Sequence, residues 1–128
     1  MKLKTLLVIN TVITAVFGIL FVVIPWQVVS LYGVEPNPSL NYTAQLFGAA
    51  LCAIALLSWL ARNVSHSDAR KAIVPAFFIG DAIGFIVALI GQLGGVVNAL
   101  GWSTVVIYLI LALGFGYFTF TKPTPSAT

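Results

Sequence analysis

The chain has 128 residues, 60% of them hydrophobic and only 7% charged. A soluble domain carries about 25% charged residues, so this composition excludes a water-facing globular surface, and the length allows one domain over residues 1–128. The net charge of +3 comes from Lys2, Lys4, Arg62, Arg70, Lys71 and Lys122 against Glu35, Asp68 and Asp81, with no basic stripe among aromatics that would serve nucleic acid.

A membrane-crossing helix needs about 20 predominantly apolar residues. The first predicted span covers about residues 5–24. Met1-Lys2-Leu3-Lys4 has the look of a signal-peptide start. The apolar stretch behind it is longer than the usual 7–15 residues of such peptides and runs into Pro25-Trp26-Gln27, not a small-residue cleavage site, so we expect it to be retained. The connection over residues 25–41 is the longest. Val28, Val29 and Leu31 suit a short interfacial turn, and Glu35-Pro36-Asn37-Pro38-Ser39 reads as a rigid turn. The second span is predicted at about 42–61, the third at about 72–92 and the fourth at about 101–120. Residues 123–128 are polar and expected to be a disordered tail. These segments predict an all-α, integral-membrane, antiparallel four-helix bundle.

The bases set its orientation. With both termini in the cytoplasm, all six Lys and Arg fall on cytoplasmic segments and Glu35 is the only charge outside, as the positive-inside rule requires. Trp26, Tyr32, Tyr42 and Trp102 then occupy the outer interface, with Trp59 and Tyr117 near the inner one. Gln45, Gln92 and Asn98 fall near the outer interface, where water can satisfy them. Arg70 and Lys71 would meet lipid headgroups or simply orient the chain.

Helical periodicity sorts the faces of the spans. In the third, Ile79, Ile83, Ile86 and Ile90 form a stripe expected to face lipid, while Ala76, Gly80, Gly84 and Ala88 form a small-residue stripe expected to pack on a neighbouring helix. The second span has Ala44, Gly48, Cys52 and Ala55, the first Asn10, Thr14 and Gly18 flanked by Phe17 and Phe21, and the fourth Gly101, Thr104, Tyr108 and Ala112. Cys52 and His66 each stand alone in the sequence, so no disulfide or metal cluster is expected. No cofactor motif is present either, because the glycines at 91, 94, 95 and 101 follow no strand and precede no Gly-Lys-Ser/Thr.

Asp81 is the one ionisable side chain inside a predicted span. It lies about 13 Å along the third helix, near the midplane of a hydrocarbon layer about 30 Å thick. It points away from the isoleucine stripe. A carboxyl group at that depth costs about 3 kcal/mol to insert and is a functional hypothesis by default. Counting depth from the basic ends places Thr14 level with Asp81, Tyr108 a turn further out and Asn10 a turn further in. We therefore expect a polar site of Asp81, Thr14, Tyr108 and Asn10. No Lys or Arg lies within a span to serve as countercharge. Its role is either hydrogen-bonded glue between helices or the handling of a proton or ligand.

Ala44-Gln45-Leu46-Phe47-Gly48-Ala49-Ala50, closing in Trp59-Leu60-Ala61-Arg62, resembles the second helix of small uncharacterised bacterial four-helix membrane proteins. The outline is similar to the DoxX-like group. That resemblance implies a multi-pass protein of the bacterial inner membrane and, through some members of the group, an association with respiratory or quinone-linked complexes. It transfers no site residue. Small multidrug transporters are of comparable size but carry an acidic residue in the first helix, where this chain has Asn10 and Thr14. Three readings follow: a non-catalytic accessory or assembly subunit packing through its small-residue faces, an oligomeric proton- or cation-coupled carrier using Asp81, and a quinone-linked redox subunit. The first is preferred. Its partners would be the lipid bilayer and either further copies of the chain or a larger membrane complex.

Overall fold

The structure, a computed structural model, describes residues 1–121. The tail expected at 123–128 lies outside the described residues. Among the described residues are five helices and no strand: α1 (Leu3–Val23), α2 (Pro25–Leu31), α3 (Pro38–Ala61), α4 (Ser67–Leu93) and α5 (Gly101–Phe120). Four of these, α1, α3, α4 and α5, are long and apolar enough to cross a membrane.

Proline chemistry sets two boundaries. Pro25 has no N–H and its ring restricts the residue before it. Ile24 accordingly leaves the helical region, at φ −132° and ψ 56°, ending α1 and beginning α2. The interfacial turn expected around Val28 is thus a seven-residue helix that buries Val28 and Val29. Asn37 caps α3, its side chain accepting from the Leu40 N–H at 2.9 Å, with Pro38 in the first turn. The segment read as a rigid turn therefore starts the third helix four residues before the apolar run. The cap supplies the orphan first-turn donor with an acceptor. The fourth helix likewise begins at Ser67, ahead of the predicted 72, and carries Pro75 in its interior.

The long helices form two pairs. α1 packs along α3 and α4 along α5, whereas no α carbon of α3 comes within 8 Å of one in α4. In the first pair, backbones nearly touch. A methyl group added at Gly18 would lie 2.9 Å from the Gly48 carbonyl and the Cys52 amide, and one at Gly48 would lie 2.7 Å from the Gly18 carbonyl. This contact uses the predicted stripe of α3, with Ala44 and Ala55 buried beside it. In the second pair Gly84 lies under the Tyr108 ring and Gly116 under Phe78.

The two pairs are joined at their ends. At the end where α1 and α4 begin and α3 and α5 finish, Leu3, Leu6, Leu7, Ala61, Val74, Leu111 and Phe115 make one core. We call this the basic end, because Lys2, Lys4, Arg62, Arg70 and Lys71 cluster in the segments around it. Arg70 turns inward there. It is 6% exposed, and its guanidinium reaches the Phe118 carbonyl at 3.5 Å and lies 5.8 Å from that residue's ring. The expected headgroup contact therefore does not describe Arg70, although Lys71 is exposed.

At the opposite end Asn98 forms a clasp. Its N–H donates to the Tyr32 carbonyl at 2.9 Å, its Nδ2 donates to the Leu31 carbonyl at 3.0 Å, and its Oδ1 accepts from the Leu100 N–H at 3.0 Å. Gly33, at φ +76°, turns the chain after α2 in a conformation other residues rarely adopt. It leaves room for Asn98, whose Cβ would lie 3.1 Å from a methyl group added there. Gln92 donates to the Asn98 carbonyl at 3.2 Å and Gln45 to the Val22 carbonyl at 3.1 Å. These three polar residues, expected near the outer interface, also hold loops and helices together.

Candidate functional site

Two helix pairs tied at both ends and separated along α3 and α4 enclose a space. It is a cavity of about 510 Å³ between the pairs, with Asn10, Thr14, Asp81 and Tyr108 all on its wall. Its floor is Leu111, the top of the core at the basic end. Tyr32 lines it toward the Asn98 clasp, with Thr104 Oγ1 donating to the Tyr32 hydroxyl at 3.4 Å. The wall is otherwise apolar, and six aromatic side chains contribute to it: Phe17, Phe21, Tyr32, Phe47, Phe77 and Tyr108.

The structure thus brings the four polar residues expected from sequence to one cavity, but it does not join them to one another. Thr14 donates back to the Asn10 carbonyl at 2.7 Å, the local bond that hydroxylated residues make within a helix. Asn10, 2% exposed, donates through Nδ2 to Ser58 Oγ at 2.7 Å. Ser58 is fully buried and links α3 to α1. Sequence reasoning missed it. The signal was present, since Ser58 continues the buried run of Leu51 and Ala55 at helical spacing. Asp81 keeps a buried Oδ2 with no hydrogen-bond partner among the described residues. Burying a polar atom unpaired costs about 1–3 kcal/mol, so this oxygen marks where a further group would be stabilised.

The small-residue stripe of α4 divides. Gly84 packs on Tyr108, as a helix contact requires, and Ala88 is half-buried. Ala76 and Gly80 instead line the cavity, and a methyl group added at Gly80 would meet nothing within 4 Å. The expectation of one continuous packing face on α4 is corrected accordingly. The reason is that α3 does not close on α4 at this level. On the other side of α4, Ile79, Ile83, Ile86 and Ile90 are each more than half exposed, as expected of a lipid-facing stripe. Among the described residues no three His, Cys, Asp or Glu side chains gather as a metal site.

Residues 1–120 match the family described as Domain of unknown function (DUF8292). The chain belongs to the DUF8292 family. The match runs from α1 through α5, so the cavity and both of its end closures lie within the DUF8292 region. No curated protein and no solved structure matches this DUF8292 chain.

Proposed function

We propose that this chain is a non-catalytic, multi-pass protein of the bacterial inner membrane that binds an amphipathic molecule in the cavity between its helix pairs. The observation that carries this reading is the unpartnered, buried Oδ2 of Asp81 on the wall of a cavity of about 510 Å³. That volume lies within the range of small-molecule sites, about 300–1,000 Å³, and such sites combine apolar walls with a few placed polar groups. Asp81 is the anchor. With Leu111 as floor and Tyr32 toward the other end, the route in would run sideways between the helix pairs, where α3 and α4 have no α carbons within 8 Å of each other, so the ligand would arrive from the bilayer. The orientation supported by the six bases puts both termini in the cytoplasm and the long helices antiparallel, with Asp81 near mid-membrane.

Native mass spectrometry of the protein released from lipid nanodiscs tests this reading, with Gly80→Trp as the comparison. A bound small molecule on the wild type that disappears when the indole fills the cavity is the expected result. An adduct equally present in Gly80→Trp, or absent from both proteins, contradicts it.

A second reading is an accessory or assembly subunit, whose partner's helix would close the α3–α4 gap. It is favoured by the openness of the backbone at Gly80 and at Gly91, where an added methyl group meets nothing within 4 Å, since small residues are the usual contact points of membrane helices. A defined heteromer after mild detergent extraction, with partner cross-links at Ala76 or Gly80, would favour it over ligand binding.

A further inference from the structure

We propose that the ligand of this cavity is a hydrophobic organic cation, an inference that rests on the cavity-binding reading above and names its substrate class. Three features of the wall converge on it. The first is how its polar groups are used. Thr14 gives its hydroxyl proton to the Asn10 carbonyl, Asn10 gives an amide proton to Ser58, and Thr104 gives its proton to Tyr32. Asn10, Thr14 and Thr104 thus donate inside the chain, while a carboxyl oxygen of Asp81, the one carboxylate on the wall, remains an open acceptor. A ligand that satisfies this oxygen brings a donor or a positive charge.

The second feature is electrostatic. The bases of the sequence are Lys2, Lys4, Arg62, Arg70, Lys71 and Lys122. None lies within the stretch of α4 that follows Lys71, or in α1 beyond Lys4, and α5 as described holds none. The nearest acids in sequence, Asp68 and Glu35, are not on the cavity wall. A cation seated by Asp81 would be the countercharge that the chain omits. A buried charge left without its partner is unfavourable, and supplying the partner reverses that.

The third feature is aromatic. Phe17, Phe21, Tyr32, Phe47, Phe77 and Tyr108 come from α1, the end of α2, α3, α4 and α5, and so surround the space from every element that bounds it. Aromatic faces carry negative quadrupole density and attract quaternary ammonium and similar delocalised cations, which shed water easily. An inorganic cation is usually held by several oxygen ligands with more than one carboxylate among them, and Asp81 is the one carboxylate on this wall. A delocalised cation with hydrophobic substituents satisfies both the rings and the carboxyl group, and it partitions into the bilayer from which the α3–α4 gap opens.

Three probes of similar shape separate charge from hydrophobicity: tetraphenylphosphonium, the neutral triphenylphosphine oxide and the anion tetraphenylborate. Each is titrated calorimetrically into the wild-type protein in nanodiscs, with empty nanodiscs subtracted. The expected result is saturable, one-to-one binding of tetraphenylphosphonium, at least about tenfold tighter than the neutral probe, with no saturable binding of the anion. Asp81→Asn should erase that tenfold preference. Neutral or anionic probe binding as tight as the cation would overturn the cation inference while leaving the cavity-binding reading standing. Retention of the full preference in Asp81→Asn would likewise overturn the inference. Absence of saturable binding by all three probes would overturn both. The comparison of probes on the wild type decides the question even if Asp81→Asn fails to fold.

Discussion

Gly80 and Gly84 lie one turn apart on the same stripe of α4, yet the structure requires opposite responses to substitution. Replacing either glycine removes the same backbone-entropy penalty, roughly 1 kcal/mol relative to alanine in a helix interior. At Gly80 nothing opposes that gain, because the added carbon meets no atom within 4 Å and a longer side chain projects into the cavity. At Gly84 the added carbon runs into the Tyr108 ring, with Cδ1 at 2.6 Å and Cζ at 2.8 Å. A leucine there must push α4 and α5 apart, and overpacking of this kind costs about 1–3 kcal/mol. Since the propensity gain is common to both sites, the difference between Gly80→Leu and Gly84→Leu isolates the clash. We expect Gly84→Leu to be less stable than Gly80→Leu by about 1–3 kcal/mol, read from equilibrium unfolding by sodium dodecyl sulfate titration in mixed micelles. Stabilities within about 0.5 kcal/mol of each other would refute the assignment of one glycine to a helix contact and the other to the cavity.

Three further outcomes follow from named contacts. In a double-mutant cycle of Asn10→Leu and Ser58→Ala, the coupling energy should be about 0.6 kcal/mol and no more than about 1.7 kcal/mol, the range of interhelical hydrogen bonds in membranes; additive effects would show that the bond contributes nothing. Asn98→Leu removes both side-chain bonds of the clasp, at Leu31 and Leu100, and should raise amide exchange in the α4–α5 connection and at Tyr32 while leaving the core at the basic end protected; unchanged exchange in the connection would count against the clasp. In a Cys52→Ala background, cysteines at Ser39 and Asn98 should react with an impermeant reagent outside intact cells and cysteines at Ser67 and Ser126 should not, and labelling at Ser67 would reverse the proposed orientation.

Hydropathy made the four long helices and the exposed isoleucine face of α4 readable, because both depend on properties of single residues repeated along one helix. Helix starts were less legible. The residues before Tyr42 and Ala72 are mostly polar, so an apolar window does not register them; α3 starts early through the Asn37 cap with Pro38, and α4 starts at Ser67 with no side-chain cap. The polar site was half legible. The depth and face of Asn10, Thr14, Asp81 and Tyr108 follow from counting residues, and these four do share a cavity wall. Which atoms they bond depends on the rotation and separation of neighbouring helices, a property of the assembled pairs. Ser58 became Asn10's partner, and Asp81 was left with none, because α1 closes on α3 while α4 stands away from both. The same separation explains why Gly80 resembles Gly84 in sequence and differs from it in surroundings. The bonds of Asn98 and Gln92 were not legible for a related cause. Their partners are loop carbonyls brought near by the fold, and no periodicity encodes them.

The central claim is that the space between the helix pairs can be reached from the surrounding lipid. Photolabelling with a small hydrophobic diazirine dissolved in the bilayer, followed by peptide mass mapping, tests it most directly. Label is expected on Phe77, Asp81 and Tyr108 of the cavity wall in addition to the exposed Ile79, Ile83 and Ile86, with the wall labels lost in Gly80→Trp and the isoleucine labels retained. Label confined to the isoleucine face in the wild type would contradict it.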